Sequence, residues 1–237
     1  MRSMLAAAID DNARWCDRVC VMAGIVTRFD GDAWLASTRS PDFYPDAVTL
    51  VDDVDPEGLL ARIDRSAGSS VKDSFATLDL APAGFDVLFT ATWIHRAPGS
   101  ATATAPTGWS RVATAADLRV WADLHGVGAT LRPPILDDPS VVVLARRGAR
   151  GEIDGGAIAT VAADAVGISN AFEIDDGGGP TDAERGAGIL GEAAAAIAAH
   201  APGLPIVGYV SDDEMPDARA AGFEGIGPLR VWLRPGA

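Results

Sequence analysis

Cysteine and histidine carry metal and nucleophile chemistry, so their spacing is weighed first. Cys16 and Cys20 lie four residues apart in a segment that patterns as one helix. That spacing suits two small apolar side chains on one face better than a disulfide. A zinc-type centre needs two further ligands, and His95, His125 and His200 stand at no ligand spacing to the cysteines. Buried, reduced thiols and no metal centre are the expectation. The sole lysine, Lys72, lies in Ser70-Val71-Lys72-Asp73-Ser74-Phe75, a polar stretch between structured segments that reads as a solvated turn. A second kind of chemistry is suggested by glycine. Gly177–Gly179 is followed by Glu184-Arg185-Gly186-Ala187-Gly188-Ile189-Leu190 at the head of an alanine-rich helix. A helix N-terminus presents unpaired N–H groups and partial positive charge, so glycines there let backbone amides close around a phosphate. Thr181 and Glu184 also form a T-x-x-E capping box, which would start the helix near Asp182. Gly186 and Gly188 would then lie inside the first turns, each at a cost of about 1 kcal/mol against alanine unless close packing needs them. The anion site would move to the triple-glycine loop. Both placements stand at this level.

These residues need a scaffold, and the composition supplies one. Of 237 residues, 48% are hydrophobic and 22% charged, enough for a packed core. Nineteen basic against 33 acidic residues give a net charge of −14, which argues against a nucleic-acid backbone or an anionic membrane as main partner. The first apolar run, residues 4–9, is broken at once by Asp10 and Asp11, and no stretch approaches the roughly 20 apolar residues of a membrane span. No export signal is read, and a cytoplasmic location is expected. Residues 97–107, small and proline-bearing, read as a linker between an N-terminal α/β region (1–96) and a unit spanning 108–237.

Periodicity predicts a helix over 3–23, strands over 34–37 and 47–51, a helix over 56–65 opened by Pro56, and a strand over 85–95. The second unit is predicted as a strand at 109–112, a helix capped by Thr114 and running to 125, and strands at 141–145, 157–163 and 166–174. The last two form a hairpin at Asp164-Ala165. A long helix ending near His200 follows, then a strand at 206–210, a helix at 214–221 stopped by Gly222, and a strand at 229–233. The order β-α-β-β-β-α-β-α-β predicts an α/β protein with a mixed sheet and helices on both faces. Ala83-Gly84-Phe85-Asp86 with Trp93-Ile94-His95-Arg96 echoes Ala221-Gly222-Phe223-Glu224 with Trp232-Leu233-Arg234. The first region is either a shrunken half-copy of the second or the echo is coincidence.

Three passages together resemble the GNAT superfamily of acyl-CoA-dependent N-acyltransferases. They are the hairpin over 156–174, the Arg185-Gly186-Ala187-Gly188 segment, similar to the family's pyrophosphate loop, and Ala218 to Leu233 with its Gly-Phe-Glu turn. They span roughly residues 108–237. The resemblance implies acetyl-CoA, or another short acyl-CoA, as cosubstrate. Its pyrophosphate would lie at Arg185, Gly186 and Gly188, and its pantetheine arm would pair along a strand at Phe172 and Ile174. It implies a small-molecule or peptide amine as acceptor, attacked directly, since no activated nucleophile is present. The oligomeric state stays open, a homodimer included. Glu173 stands where the family's base is often found. Tyr209 and Ser211 are the candidates to protonate the leaving thiolate, because the family's usual tyrosine position holds Ala218. Each has a plain alternative: an ion pair with Arg146 or Arg147 for Glu173, an ordinary strand tyrosine, and a helix cap for Ser211. Pro41-Asp42-Phe43-Tyr44-Pro45 either lines an acceptor pocket or is stapled to the core by its aromatics. Leu190 at a position normally glycine or alanine, with Ala218, favours the alternative of a catalytically idle relative that binds a ligand or partner.

Overall fold

Ser3 opens the first helix: its hydroxyl accepts the Ala6 N–H at 3.2 Å, and α1 (Met4–Met22) follows, burying Ile9, Trp15, Cys16, Val19 and Cys20. The structure is a computed structural model that describes residues 3–98, 106–174 and 183–236, without the side chains of 183–187. After α1 come β1 (Thr27–Phe29), β2 (Ala33–Ala36), β3 (Ala47–Thr49), α2 (Pro56–Leu60), β4 (Ser70–Asp73) and β5 (Asp86–Arg96). The second part continues with β6 (Trp109–Arg111), α3 (Ala115–His125), β7 (Val141–Arg147), β8 (Ile153–Val161), β9 (Val166–Glu173), α4 (Ala183–His200), β10 (Ile206–Ser211), α5 (Met215–Ala220) and β11 (Glu224–Leu233). Thr114 caps α3 by accepting the Asp117 N–H at 3.1 Å, and Gly126 ends it in the left-handed region at φ 88°.

Among the described residues the strands form one mixed sheet in the order β1-β2-β3-β4-β11-β5-β10-β9-β8-β7-β6. The α/β class, the mixed sheet and helices on both faces are as expected. Alternate residues of each strand feed opposite layers. Val141 and Val143 pack with α1 and α3, while Val142 and Leu144 pack with α4 and α5. In the first part Trp34 and Val48 face α1, and Leu35 and Ala47 face α2.

The pairing order repeats. β1, β2 and β3 are successively antiparallel, and β3 runs parallel to β4 across α2. Likewise β7, β8 and β9 are successively antiparallel, and β9 runs parallel to β10 across α4. The final strand of each set is exchanged: β5 pairs with β10, β11 pairs with β4, and β5 and β11 pair with each other at the centre. The Gly-Phe echo marks equivalent places. Gly84 and Gly222 both have positive φ, and Phe85 and Phe223 are both buried just before the exchanged strands. The first 96 residues therefore share one sheet with the rest, and their last strand lies between two strands of the second part.

Five expectations on elements change. The segment read as a turn over 70–75 holds β4 (Ser70–Asp73), inside the sheet, with Val71, Lys72, Asp73 and Ser74 buried. β11 begins five residues before the expected 229 and β8 four before 157, because glycines in both starts are packing positions. A Cβ on Gly156 would lie 2.1 Å from Trp121 Nε1, and one on Gly227 3.1 Å from Leu5. β1 went unread, and α2 stops at Leu60.

Candidate active site

β9 and β10 pair only at Ile206↔Val166 and Val207↔Gly167 among the described residues, and then diverge. Two local features open the gap. β9 carries an irregularity opposite Gly156 and Ile158, with Asn170 at φ 52°. A bulge of this kind bends a strand away from its neighbour. At the point of departure Gly208 passes so close to Ile168 that a Cβ would meet its carbonyl oxygen at 2.8 Å.

The gap is the waist of a cleft of about 780 Å³ that crosses the sheet. On the α4 side it is lined by Ile168, Ile189, Leu190, Val210 and Glu214. On the α1 side it is lined by Asn12, Trp15, Tyr44, Lys72, Phe172 and Tyr209. The Pro41–Pro45 loop lines its rim, with Phe43 exposed at φ 71°.

The expected site residues are distributed unevenly around it. Trp109, Arg146, Gly155 and Glu173 form one row across β6, β7, β8 and β9 on the α4 face. Gly155 has no side chain, so Arg146 reaches over it and donates from Nη2 to Glu173 Oε1 at 2.8 Å, while its Nε donates to Asp154 at 2.8 Å. Arg146 also stands 3.5 Å from Glu192. Glu173 thus lines the cleft with its carboxylate committed to a guanidinium. Ile174 donates its N–H to Asp154 O at 2.8 Å, toward β8, and the two-residue alternation of an extended strand turns Phe172's main chain the same way. The main-chain groups facing the gap at this end are therefore those of Glu173, between the expected Phe172 and Ile174. Phe172 contributes its ring, edge-on to Trp121 at 5.0 Å and to His125 at 5.2 Å.

Tyr209 lines the α1 side, edge-on to Trp93 at 5.6 Å, with Lys72 Nζ 4.2 Å from its ring centroid. Ser211 is turned elsewhere: its N–H and hydroxyl both donate to Glu214 Oε2, at 2.8 and 2.7 Å, tying β10 to the start of α5. The hydroxyl caps no N–H of α5, whose N-cap is Glu214, and it is absent from the lining of the cleft.

α4 begins at Ala183, which puts Arg185, Gly186 and Gly188 within its first two turns. A Cβ on Gly188 would meet nothing within 4 Å, and the residue is exposed. Leu190 is buried in the core between α4 and the sheet instead of crowding the helix tip. The Thr181–Glu184 box and Gly177–Gly179 lie outside the described backbone or side chains.

The fold gathers four more residues on the α1 side: Tyr44, within the loop read as a possible pocket lining, and Lys72, Trp15 and His125, which the sequence reading did not assign to a site. Lys72 is 5% exposed, and its Nζ donates to Asn12 Oδ1 at 2.9 Å. Trp15 Nε1 and the Tyr44 hydroxyl are buried with no hydrogen-bond partner among the described residues, although Tyr44 Oη is flanked by Asn170 and Trp15. Burial pushes the Tyr44 pKa up. His125 stacks on Trp121 at 5.4 Å with Nδ1 unpartnered, and burial lowers its pKa, so the imidazole is neutral near pH 7. The sequence offered two signals for this group, the aromatic loop holding Tyr44 and Lys72, the single lysine in the chain. Cys16 also lines the cleft, but burial pushes its thiol up to about 12, which leaves it protonated and inert. Both cysteines are free and buried, as expected.

No family model and no curated protein matches this sequence. Solved structures do match by shape. A GCN5-related N-acetyltransferase from Kribbella flavida aligns over 95% of this chain and 96% of that one, with a TM-score of 0.62 and 18% identity. A GCN5-related N-acetyltransferase-like protein from Streptococcus suis aligns over 95% and 99%, with a TM-score of 0.52 and 13% identity. Saccharomyces cerevisiae N-myristoyltransferase, solved with myristoyl-CoA and inhibitors, aligns over 88% and 63%, with a TM-score of 0.53 and 10% identity. The chain has the GCN5-related N-acetyltransferase (GNAT) fold. The likeness runs through the first 96 residues as well as the last 130, further than the sequence resemblance reached. Among the described residues no helix is long and apolar enough to cross a membrane.

Proposed function

We propose that this protein is an N-acyltransferase that moves an acyl group from a CoA thioester to an amine by direct attack. The observation that carries this reading is the divergence of β9 and β10 at the waist of a cleft that crosses the sheet. An extended pantetheine arm would fill the gap as an added strand, pairing with main-chain groups such as those of Glu173. The pyrophosphate would lie at the head of α4, near Arg185, Gly186 and the open surface of Gly188. The thioester would then reach the waist, with the acceptor amine approaching from the α1 side.

On that side His125 is neutral and takes the amine proton, while the Tyr209 hydroxyl protonates the departing thiolate. Glu173 holds the end of β9 through Arg146 and acts as a positioning residue. Acetyl-CoA is the proposed cosubstrate, and the apolar lining from Ile168 to Val210 accommodates short acyl groups.

The test is thermal unfolding with acetyl-CoA, CoA and a longer acyl-CoA. A ligand at 100 times its dissociation constant stabilises by about 2.7 kcal/mol. For a chain of this size that raises the midpoint by about 5–10 °C. Gly188→Val should fold normally, since its Cβ enters open space, yet lose most of the shift by blocking approach to the backbone. Arg185→Ala should also reduce it. No shift with any of the three ligands at millimolar concentration would sink the transferase reading.

A further inference from the structure

The α1 side of the cleft holds an excess of hydrogen-bond donors. Lys72 lies on β4 within the sheet, and a buried ammonium is costly unless an opposite charge answers it. Among the described residues no carboxylate stands within ion-pair distance of it. Its recorded partners are the neutral Asn12 Oδ1 and the Tyr209 ring, which hold the charge without cancelling it. Two more buried groups line the same cleft, Trp15 Nε1 and the Tyr44 hydroxyl; they lie beside each other and beside Asn170, but neither makes a well-formed hydrogen bond among the described residues. The indole N–H can only donate, and an ammonium has three N–H groups of which Asn12 takes one. A ligand that completes this arrangement must bring acceptor atoms and negative charge. A carboxylate brings both, with two oxygens to share among three donors. The walls beside it are the rings of Tyr44, Phe172 and Tyr209, so the body of that ligand is apolar.

We propose that Lys72 Nζ, Trp15 Nε1 and Tyr44 Oη form a carboxylate subsite, and that the acyl acceptor is an amino acid with a large aliphatic or aromatic side chain whose amine points to the waist. The identity of the ligand as acceptor rests on the acyltransferase reading, whereas the carboxylate subsite does not. One cation and two neutral donors match the single charge of a carboxylate better than a phosphate.

The experiment is calorimetric titration of the full chain with three amino acids, each against its decarboxylated amine. The pairs are L-phenylalanine and 2-phenylethylamine, L-tyrosine and tyramine, and L-leucine and isopentylamine. At least one amino acid should bind about 10–150-fold more tightly than its amine, the range expected for hydrogen bonds to a charged group. Lys72→Met, which replaces the ammonium by a similar apolar volume, should erase that preference while leaving the acetyl-CoA shift unchanged. Tyr44→Phe, nearly isosteric, should weaken the amino acid by about 2–13-fold and the amine little. The proposal falls if no amino acid binds at millimolar concentration or if acid and amine bind alike. It also falls if Lys72→Met keeps the preference, if inorganic phosphate binds in preference to the amino acids, or if Lys72→Met weakens acetyl-CoA as much as the amino acid. Amino-acid binding without any acyl-CoA binding would overturn the transferase reading and leave the subsite standing.

Discussion

Asp11→Asn tests the electrostatics beneath the site. Asp11 lies on α1 with its carboxyl against Thr160 and Gly167, and Thr160 Oγ1 donates to Oδ1 at 2.5 Å. Burial raises its pKa from the ordinary 3.8 to about 7, with the Thr160 hydrogen bond and Arg18 opposing the rise. The folded value exceeds the unfolded one, so the contribution of this group is complete below about pH 4 and is lost as pH climbs to about 7. At about 1.4 kcal/mol per pKa unit the full swing is roughly 4 kcal/mol. Residue 11 as a whole is only half-buried, so solvent access lowers this to about 2–4 kcal/mol. Asparagine keeps an acceptor for Thr160 and cannot ionise. The variant should match the wild type near pH 4 and exceed it increasingly up to pH 8, where its midpoint should be higher by about 4–16 °C. Measuring the difference between the two proteins removes the contributions of other carboxylates, such as Asp32 and Asp138, whose pKa values lie below normal. Thermal unfolding of both proteins at half-unit steps from pH 4 to 8 reads the curve. A constant difference across that range, or a variant less stable at pH 8, would refute the buried, neutral carboxyl.

Gly156→Val should cost about 2–3 kcal/mol, because its branched side chain collides with Trp121, whose Nε1 donates to Leu144 O at 2.9 Å; denaturant unfolding checks it. Glu173→Gln should lower turnover less than tenfold, while His125→Gln should lower it about 10²–10⁴-fold and remove the acidic limb of the pH–rate profile. The reverse ranking would restore Glu173 as the base.

Much of the framework was legible in local pattern. α1 and α3 have apolar stripes and capping residues within a few positions of each other, so their bounds come from neighbours in sequence. The order of elements from β6 to β11 was readable for the same reason, and the Gly-Phe echo marked two equivalent strand starts before any pairing was known. The site was not local in this sense. β4 looked like a solvated turn because four of its six neighbouring positions are polar, and burial of polar groups shows only when distant partners are known. Asp73 accepts the Leu78 N–H, Thr49 accepts the Ser74 N–H, and Lys72 meets Asn12 from a helix sixty positions away. The family resemblance offered Glu173 as a base and the residue types offered an ion pair with Arg146 or Arg147; the choice of Arg146 depends on the gap at Gly155, which exists only once three strands lie side by side. Hydrophobic period and caps act over one or two turns, so most helices and strands are written in the local sequence, β1 and β4 excepted. Which strands exchange, where β9 leaves β10 and which polar side chains converge on the cleft emerge from the folded chain alone, because those outcomes depend on contacts between residues far apart in the sequence.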